Sequence, residues 1–220
     1  MTMKKLHHLL LAAATAAGLA TALSGCAPLL LGGAAMTAIV ATDRRTSGAQ
    51  LEDETIELKA SSRVREALGD RVHVVVTSFN RQVLLTGEVP DQVTRETVEQ
   101  IVRKVDNVNG VINELGIHIV SSLSQRSNDL LLTTKVRATL IDARDLSAGA
   151  FKVQTERGTV HLMGRVTARE AERATNLVRS ISGVQRVVRA FEIITEEELQ
   201  RMMPRQAAPA VAPVASAQSR

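Results

Sequence analysis

The residue best suited to covalent chemistry is Cys26, the single cysteine of this 220-residue chain. It closes the run Leu23-Ser24-Gly25-Cys26, after an apolar segment from Leu9 to Leu23 that follows Lys4-Lys5. The two lysines hold the start of the chain in the cytoplasm, and the apolar segment suits the translocon but is short for a membrane span. Small residues before the cysteine admit a peptidase, and the thiol can form a thioether to diacylglycerol. The pattern predicts a lipoprotein signal peptide over residues 1–25 and lipidation of Cys26.

A retained signal anchor with an inert Cys26 thiol is the alternative. The stretch from Ala27 to Ala41 is also mostly apolar, which favours that alternative, but Pro28 and Gly32-Gly33 interrupt it. The residue after the cysteine is alanine and not aspartate, which in bacterial lipoproteins implies export to the outer membrane. We therefore expect a lipid-anchored protein in the outer membrane, with its mature chain facing the periplasm.

No other set of residues predicts catalysis or a bound cofactor. The chain has no nucleophile with a matching histidine and acid, no phosphate-binding loop and no paired carboxylates at a plausible site. His73, His118 and His161 fall on predicted strands out of phase with the buried positions, so we expect them to be solvated on open sheet faces, without a metal. With three Phe and no Trp or Tyr, the chain also lacks platforms for stacking nucleic-acid bases. We predict no enzyme, no cofactor, no metal and no nucleic-acid partner.

An internal repeat determines the domain organisation. The run Leu85-Thr86-Gly87-Glu88-Val89 aligns with Leu162-Met163-Gly164-Arg165-Val166, and the similarity extends over about 65 residues at a period of about 76. We predict a lipidated tether over residues 26–50, one domain over 51–120, its copy over 124–195, and a disordered tail rich in proline and alanine over 196–220. The short linker at Ser121 to Gln125 predicts that the two domains pack together.

Each copy has the same predicted order of elements, α-β-β-α-β. Apolar residues four apart predict the first helix, and alternating valines at 72, 74 and 76 predict a strand. A second strand ends near Gly87, Asp91 caps the second helix, and a last strand runs from about Val108 to Ile119. In the second copy, Thr167 and Glu170 form a capping box. The predicted fold class is α+β: two tandem units, each a three-stranded sheet with two helices on one face.

These motifs resemble the BON domain of bacterial osmotic-stress and outer-membrane proteins. The resemblance rests on Leu85-x-Gly87-x-Val89 with Val108-x-x-Val111, and on Leu162-x-Gly164-x-Val166 with Gly183-Val184-x-x-Val187. Two such domains behind a lipoprotein signal are similar to outer-membrane lipoproteins with two BON domains. The resemblance implies peripheral binding of anionic phospholipid, a role in maintaining the outer-membrane barrier, and no catalysis.

The two domains carry opposite net charges. Residues 51–119 contain 8 Lys+Arg and 12 Asp+Glu, or 8 − 12 = −4, whereas residues 124–195 contain 12 and 7, or 12 − 7 = +5. Each basic side chain near anionic lipid contributes roughly 1 kcal/mol of binding free energy. The second domain is therefore the predicted membrane-binding domain, since its charge complements an anionic surface.

The first helix of the second domain, predicted from about Asp129 to Ile141, carries the candidate site. With Leu132, Val136 and Leu140 in the core at 100° per residue, a surplus of apolar and basic residues falls outward. Such residues suit a membrane interface, because apolar tips enter the acyl boundary while guanidinium groups stay at phosphate level. The predicted lipid-binding residues are Leu130, Leu131, Lys135, Arg137, Ile141 and Arg144. In the alternative reading, Leu130 and Leu131 pack against the first domain or the linker.

Two functions from different classes follow from the sequence. In one, the second domain docks on anionic phospholipid; in the other, a tethered adaptor recruits an envelope protein through exposed sheet faces. The basic, leucine-bearing helix favours the first, and the acidic first domain leaves room for the second. The sequence does not define the oligomeric state.

Overall fold

The computed structural model describes residues 43–202, so the predicted signal peptide, Cys26, most of the predicted tether and the predicted tail beyond Met202 lie outside the described residues. The helices are α1 (Ser47–Leu68), α2 (Gln92–Arg103), α3 (Leu123–Asp142), α4 (Ala168–Arg179) and α5 (Glu196–Met202). The strands are β1 (His73–Phe79), β2 (Gln82–Val89), β3 (Gly110–Asn113), β4 (Gly116–Ile117), β5 (Phe151–Glu156), β6 (Thr159–Thr167) and β7 (Arg186–Ile194). Short 3₁₀ turns occupy Gly69–Arg71 and Ala148–Ala150.

The two sheets have the same topology, as the repeat predicts. In the first sheet β2 pairs antiparallel with β1 and parallel with β3 and β4; in the second, β6 pairs antiparallel with β5 and parallel with β7. The last strand predicted for the first domain is interrupted between β3 and β4. There the Asn113 side chain accepts a hydrogen bond from the Leu115 amide (3.2 Å), and Leu115 turns into the core. The α-β-β-α-β order predicted for both domains is confirmed.

Side-chain caps fix where the four long helices begin. Thr46, Asp91, Ser122 and Thr167 each accept a hydrogen bond from a backbone amide of the first helical turn. The capping box predicted at Thr167 is present, because Glu170 also accepts a hydrogen bond from the Thr167 amide at 3.0 Å. These caps supply partners for amide groups that the helix itself leaves unpaired.

The ordered chain extends further at both ends than the sequence predicts. Thr46 caps α1 at Ser47, so the last four residues of the predicted tether are helical. The tail predicted to be disordered from residue 196 begins instead with α5, where Thr195 and Glu198 form reciprocal side-chain caps and Leu199 is buried. Local capping interactions therefore add structure where composition alone favours mobile chain.

A buried aspartate on the first helix of each domain anchors the turn between that domain's first two strands. The Asp53 carboxylate accepts hydrogen bonds from the amides of Asn80 and Arg81, each at 2.8 Å, and Asp129 accepts from those of Arg157 and Gly158 at 2.8 and 2.9 Å. All four turn residues have positive φ, between 50° and 70°. Positive φ at both central residues is typical of the tight hairpin turn that matches strand twist.

The Asp53 carboxyl has further partners. Ser78 Oγ donates to it at 2.6 Å and Arg45 Nη1 at 2.8 Å. Burial by itself raises the pKa of this group, but the hydrogen bonds from Ser78, Arg81, Arg45 and Asn80 outweigh that effect, so the pKa lies below its ordinary value. Asp53 therefore stays ionised in the folded protein at neutral pH.

Each domain has its own apolar core between its helices and the inner face of its sheet. Ile56, Val83 and Val98 are fully buried in the first core, and Val136, Val160 and Val178 in the second. Gly87 and Gly164 lie where β2 and β6 approach their neighbours closely. A Cβ atom at these positions would lie 2.0 Å from the His73 carbonyl oxygen and 2.1 Å from that of Ala150. Only glycine tolerates that approach, so both positions are structural.

The outer faces of the two sheets pack against each other. Phe79 and Leu84 of the first sheet form an apolar cluster with Met163 and Ala190 of the second. Polar contacts between the domains surround the cluster, including an ion pair between Lys152 and Glu57. The predicted packing of the domains is therefore confirmed, but the prediction of open sheet faces is wrong, and the adaptor hypothesis loses the surface on which it depended.

The same packing overturns the predicted environment of two histidines. His161 is buried, and neither of its ring nitrogens has a hydrogen-bond partner within the described structure. Burial lowers the pKa of His161 below its ordinary value. His73 is half-buried, with Nδ1 3.0 Å from Glu88 Oε2, and His118 alone of the three is exposed as predicted. Periodicity identified these positions as facing away from one core, but a second layer covers that face.

Candidate lipid-binding surface

The α3 helix presents its two faces as the sequence predicts. Leu132, Val136 and Leu140 point into the core of the second domain. Ser122 and Gln125 form a capping box that begins the helix six residues before the predicted start at Asp129. The buried face fixes the rotation of α3 and so determines which side chains point outward.

All six predicted lipid-binding residues are exposed, either on α3 or just after it. The apolar members remain largely uncovered, with 68% of Leu130, 62% of Leu131 and 53% of Ile141 accessible to solvent. The alternative, in which Leu130 and Leu131 are covered by the first domain, is therefore wrong. We call the six the α3 outward face: Leu130, Leu131, Lys135, Arg137, Ile141 and Arg144.

The basic side chains of this face are available to external anions. Within residues 43–202, no carboxylate forms an ion pair with Lys135, Arg137 or Arg144. Arg137 Nη2 donates to the Val153 carbonyl at 3.2 Å, which orients the guanidinium without neutralising it. Other basic residues of the second domain, such as Arg165, pair with carboxylates. The α3 outward face thus combines exposed apolar groups with uncompensated positive charge.

Leu123 adds a further apolar residue that sequence reasoning missed. It is the first residue of α3 and is 80% exposed. At 100° per residue it shares one side of the helix with Leu130 and Ile141, seven and eighteen positions later. The spacing of seven between two leucines was the available signal, but it lay outside the predicted helix. The apolar line therefore extends along the whole of α3.

The long loop after α3 contributes little beyond Arg144. Leu146 packs against the core of the second domain, and the Asp145 carboxylate pairs with Arg173 at 2.9 Å. Hydrogen bonding from Arg173 lowers the pKa of Asp145 below its ordinary value. Because these contacts hold the loop against its own domain, the α3 outward face includes Arg144 and does not continue along the loop.

The first domain exposes leucines in a different electrostatic setting. Leu51 and Leu58 on α1 are 66% and 75% exposed, more than Ile141. Glu54 is exposed one turn from each of them. Anionic lipid would repel this carboxylate, so exposed leucine alone does not make α1 an equivalent surface.

Near the start of the described residues, Arg44 is bound to the second domain. Arg44 forms a bidentate ion pair with Glu170, at 2.6 and 2.8 Å, and donates to the Arg165 carbonyl at 2.8 Å. Burial raises the pKa of Glu170, but the hydrogen bonds from Arg44 and from the Thr167 amide outweigh it and give a net lowering. The chain arriving from the N-terminal side is thus held by the basic domain before it enters α1.

Between residues 43 and 202, no helix combines the length and the apolar character needed to cross a bilayer.

Comparisons with known proteins agree with this architecture. The profile of the BON domain matches residues 53–117 and 128–195. The chain is 37% identical over 174 residues to "Outer membrane lipoprotein DolP" of Haemophilus influenzae, covering 78% of this chain and 90% of that protein. It is 26% identical over 154 residues to "21 kDa hemolysin" of Actinobacillus pleuropneumoniae, covering 69% and 79%. It is 24% identical over 135 residues to "Osmotically-inducible protein Y" of Escherichia coli, covering 58% and 67%.

Among solved structures, the C-terminal domain of CdsD, a structural protein of the type III secretion system of Chlamydia trachomatis, aligns with 61% of this chain and 96% of its own. The TM-score of 0.28 and 10% identity are too low to support a functional argument. The family assignment therefore rests on the BON profile and on the sequence relatives. Two matched domains and 37% identity over most of its length place the chain in the BON family, as an outer-membrane lipoprotein with two BON domains.

Proposed function

We propose that the second BON domain binds anionic phospholipid peripherally through the α3 outward face. A lipid on Cys26 anchors the protein to the outer membrane from the periplasmic side, and the bound protein helps to maintain membrane integrity. The proposed mechanism is physical binding and contains no catalytic step.

The observation that carries the proposal is the combination of exposed apolar and unpaired basic side chains on one helix. Leu130, Leu131 and Ile141 are each more than half exposed. Fully burying one such side chain is worth about 1.5–3 kcal/mol, so three partial burials can supply a few kcal/mol. Each basic residue at an anionic surface adds about 1 kcal/mol. Together, these apolar and electrostatic contributions give a binding free energy that suits reversible binding by a domain already held near the membrane.

The short connection between Cys26 and the second domain also favours membrane binding by that domain. Cys26 and Arg44 are eighteen residues apart, so an extended chain between them reaches at most roughly 60 Å. Arg44 is bound to Glu170 of the second domain. A lipid anchor on this short connection would raise the effective concentration of the α3 outward face at the membrane, which makes weak binding productive.

Flotation of the soluble chain, residues 27–220, on vesicles tests the proposal. Both domains must be kept together, because separating them would expose the apolar cluster formed by Phe79, Leu84, Met163 and Ala190. Binding to vesicles that contain phosphatidylglycerol, with little binding to pure phosphatidylcholine, is the expected result. Binding should weaken as salt rises, because exposed charges are screened.

A further inference from the structure

Three ionisable side chains from both domains meet between the two sheets. His73 lies on β1, Glu88 on β2 and Glu156 at the end of β5. His73 Nδ1 is 3.0 Å from Glu88 Oε2 and 4.0 Å from Glu156 Oε2. One nitrogen or oxygen from each residue lies within 4.8 Å of the other two. The three could therefore share one small cation with only modest movement.

The carboxylates of this cluster are removed from water, and one is incompletely satisfied. Glu88 is fully buried; its Oε2 accepts from the amide and hydroxyl of Ser121 at 3.4 and 3.2 Å. Its Oε1 has no hydrogen-bond donor within the described structure. Leaving a buried acceptor without a partner destabilises the folded state, and the cost is greater when the group is charged. Buried polar atoms without a partner are rare in native proteins, and a bound ion or water molecule would explain the one at Glu88 Oε1.

His161, a second buried residue whose polar atoms lack hydrogen-bond partners in the described structure, lines the same cavity as Glu156. Glu156 lines a cavity of about 200 Å³ together with His161 and Arg157. His161 is 98% buried, and both of its ring nitrogens lack a hydrogen-bond partner within residues 43–202. A further cavity, of about 240 Å³, is lined by both His73 and Glu156 and gives room for the water that completes an open metal site.

Arg157 is the competing cation. Its Nη1 lies 3.9 Å from Glu88 Oε1, too far for a hydrogen bond. Its side chain is 42% exposed, so the guanidinium can turn toward solvent at little cost. A divalent ion would neutralise both carboxylates, whereas Arg157 at this distance leaves Oε1 without a donor.

We propose that His73, Glu88 and Glu156 bind a divalent transition-metal ion that links the two BON domains. One imidazole and two carboxylates form a ligand set that Zn²⁺ accepts, with a fourth position left to water. No local pattern in the sequence indicates this site, because the ligands are 15 and 68 positions apart and come from different domains. The domain packing creates it.

Zinc binding to the soluble chain, residues 27–220, tests the proposal. After treatment with EDTA and buffer exchange, titration with ZnCl₂ should show saturable binding of one ion per chain by calorimetry. A free zinc concentration about one hundred times the Kd should raise the melting temperature of the protein by roughly 5–10 °C.

Glu156→Gln and His73→Asn, which remove a ligand with little change in size, should each weaken zinc binding at least about tenfold. Glu192→Gln is the matched control: this carboxylate also bridges the domains, through Asn80, but lies outside the cluster, so affinity should be unchanged. Failure of the unchanged protein to bind zinc saturably would overturn the proposal. So would an affinity that survives both ligand substitutions, since the ion would then be bound elsewhere.

Discussion

Replacing Leu131 and Ile141 together by glutamate should abolish binding to anionic vesicles and leave the fold intact. Both side chains are more than half exposed, so the substitution removes no core packing. Exposed substitutions usually change the free energy of unfolding by under about 0.5 kcal/mol. The double variant should therefore melt within a few degrees of the unchanged protein.

The expected loss of binding follows from the solvent-exposed fractions of Leu131 and Ile141. Burying the accessible part of each side chain at the acyl boundary is worth about 1–2 kcal/mol. Each new carboxylate is repelled by anionic lipid by about 1 kcal/mol, the reverse of the attraction for a basic residue. The sum is about 4–6 kcal/mol, which corresponds to a loss of affinity of roughly a thousandfold or more. In co-sedimentation such a loss appears as no detectable binding.

Two control variants make the result specific. Leu51→Glu with Leu58→Glu introduces the same change at equally exposed positions on α1, and binding should stay close to that of the unchanged protein. Val136→Glu puts a charge into the core of the second domain and should unfold it. If the Leu131 and Ile141 variant melts as early as the Val136 variant, these side chains support the fold. If it still binds vesicles normally, the α3 outward face is not the membrane site.

Three further outcomes are expected. Cys26→Ser should leave the precursor unprocessed and absent from the outer membrane, because serine cannot form the thioether; mass spectrometry of a mature chain that begins elsewhere would contradict this. Arg137→Ala and Arg144→Ala should each weaken vesicle binding by about 1 kcal/mol, roughly fivefold, and by less at high salt; equal losses at all salt concentrations would argue against phosphate contacts. The contribution of Asp53 to stability should be present above its unfolded pKa of about 4 and be lost as pH falls further through its lower folded pKa, so below about pH 4 the melting temperature of Asp53→Asn should fall less steeply with pH than that of the unchanged protein.

Interactions close in sequence were predictable, and specific contacts between residues distant in sequence were not. The helix phase that buries Val136 and the capping box at Thr167 depend on neighbouring residues, so periodicity and spacing reveal them. The turn anchor at Asp53 joins residues 27 or more positions apart and has no local pattern. His161 was misplaced because alternation shows only that a side chain faces away from one core, and here the second sheet layer covers that face.

One signal of this second layer was present in the sequence. Val83, Leu84 and Leu85 form a continuous apolar run where a strand with one solvated face should alternate. A run of this kind indicates burial on both faces of a sheet. Leu84 in fact contacts the apolar cluster between the sheets. For the candidate site, helix phase predicted which residues point outward, but Leu123 was missed because the predicted helix began too late.

The most direct test of the central claim is flotation of residues 27–220, which lack Cys26, on vesicles with and without phosphatidylglycerol at equal lipid concentration. The protein should float with the phosphatidylglycerol vesicles at low salt, stay unbound with pure phosphatidylcholine, and be released as salt rises. Equal flotation with both vesicles, or none with either, would contradict binding of anionic phospholipid by the α3 outward face.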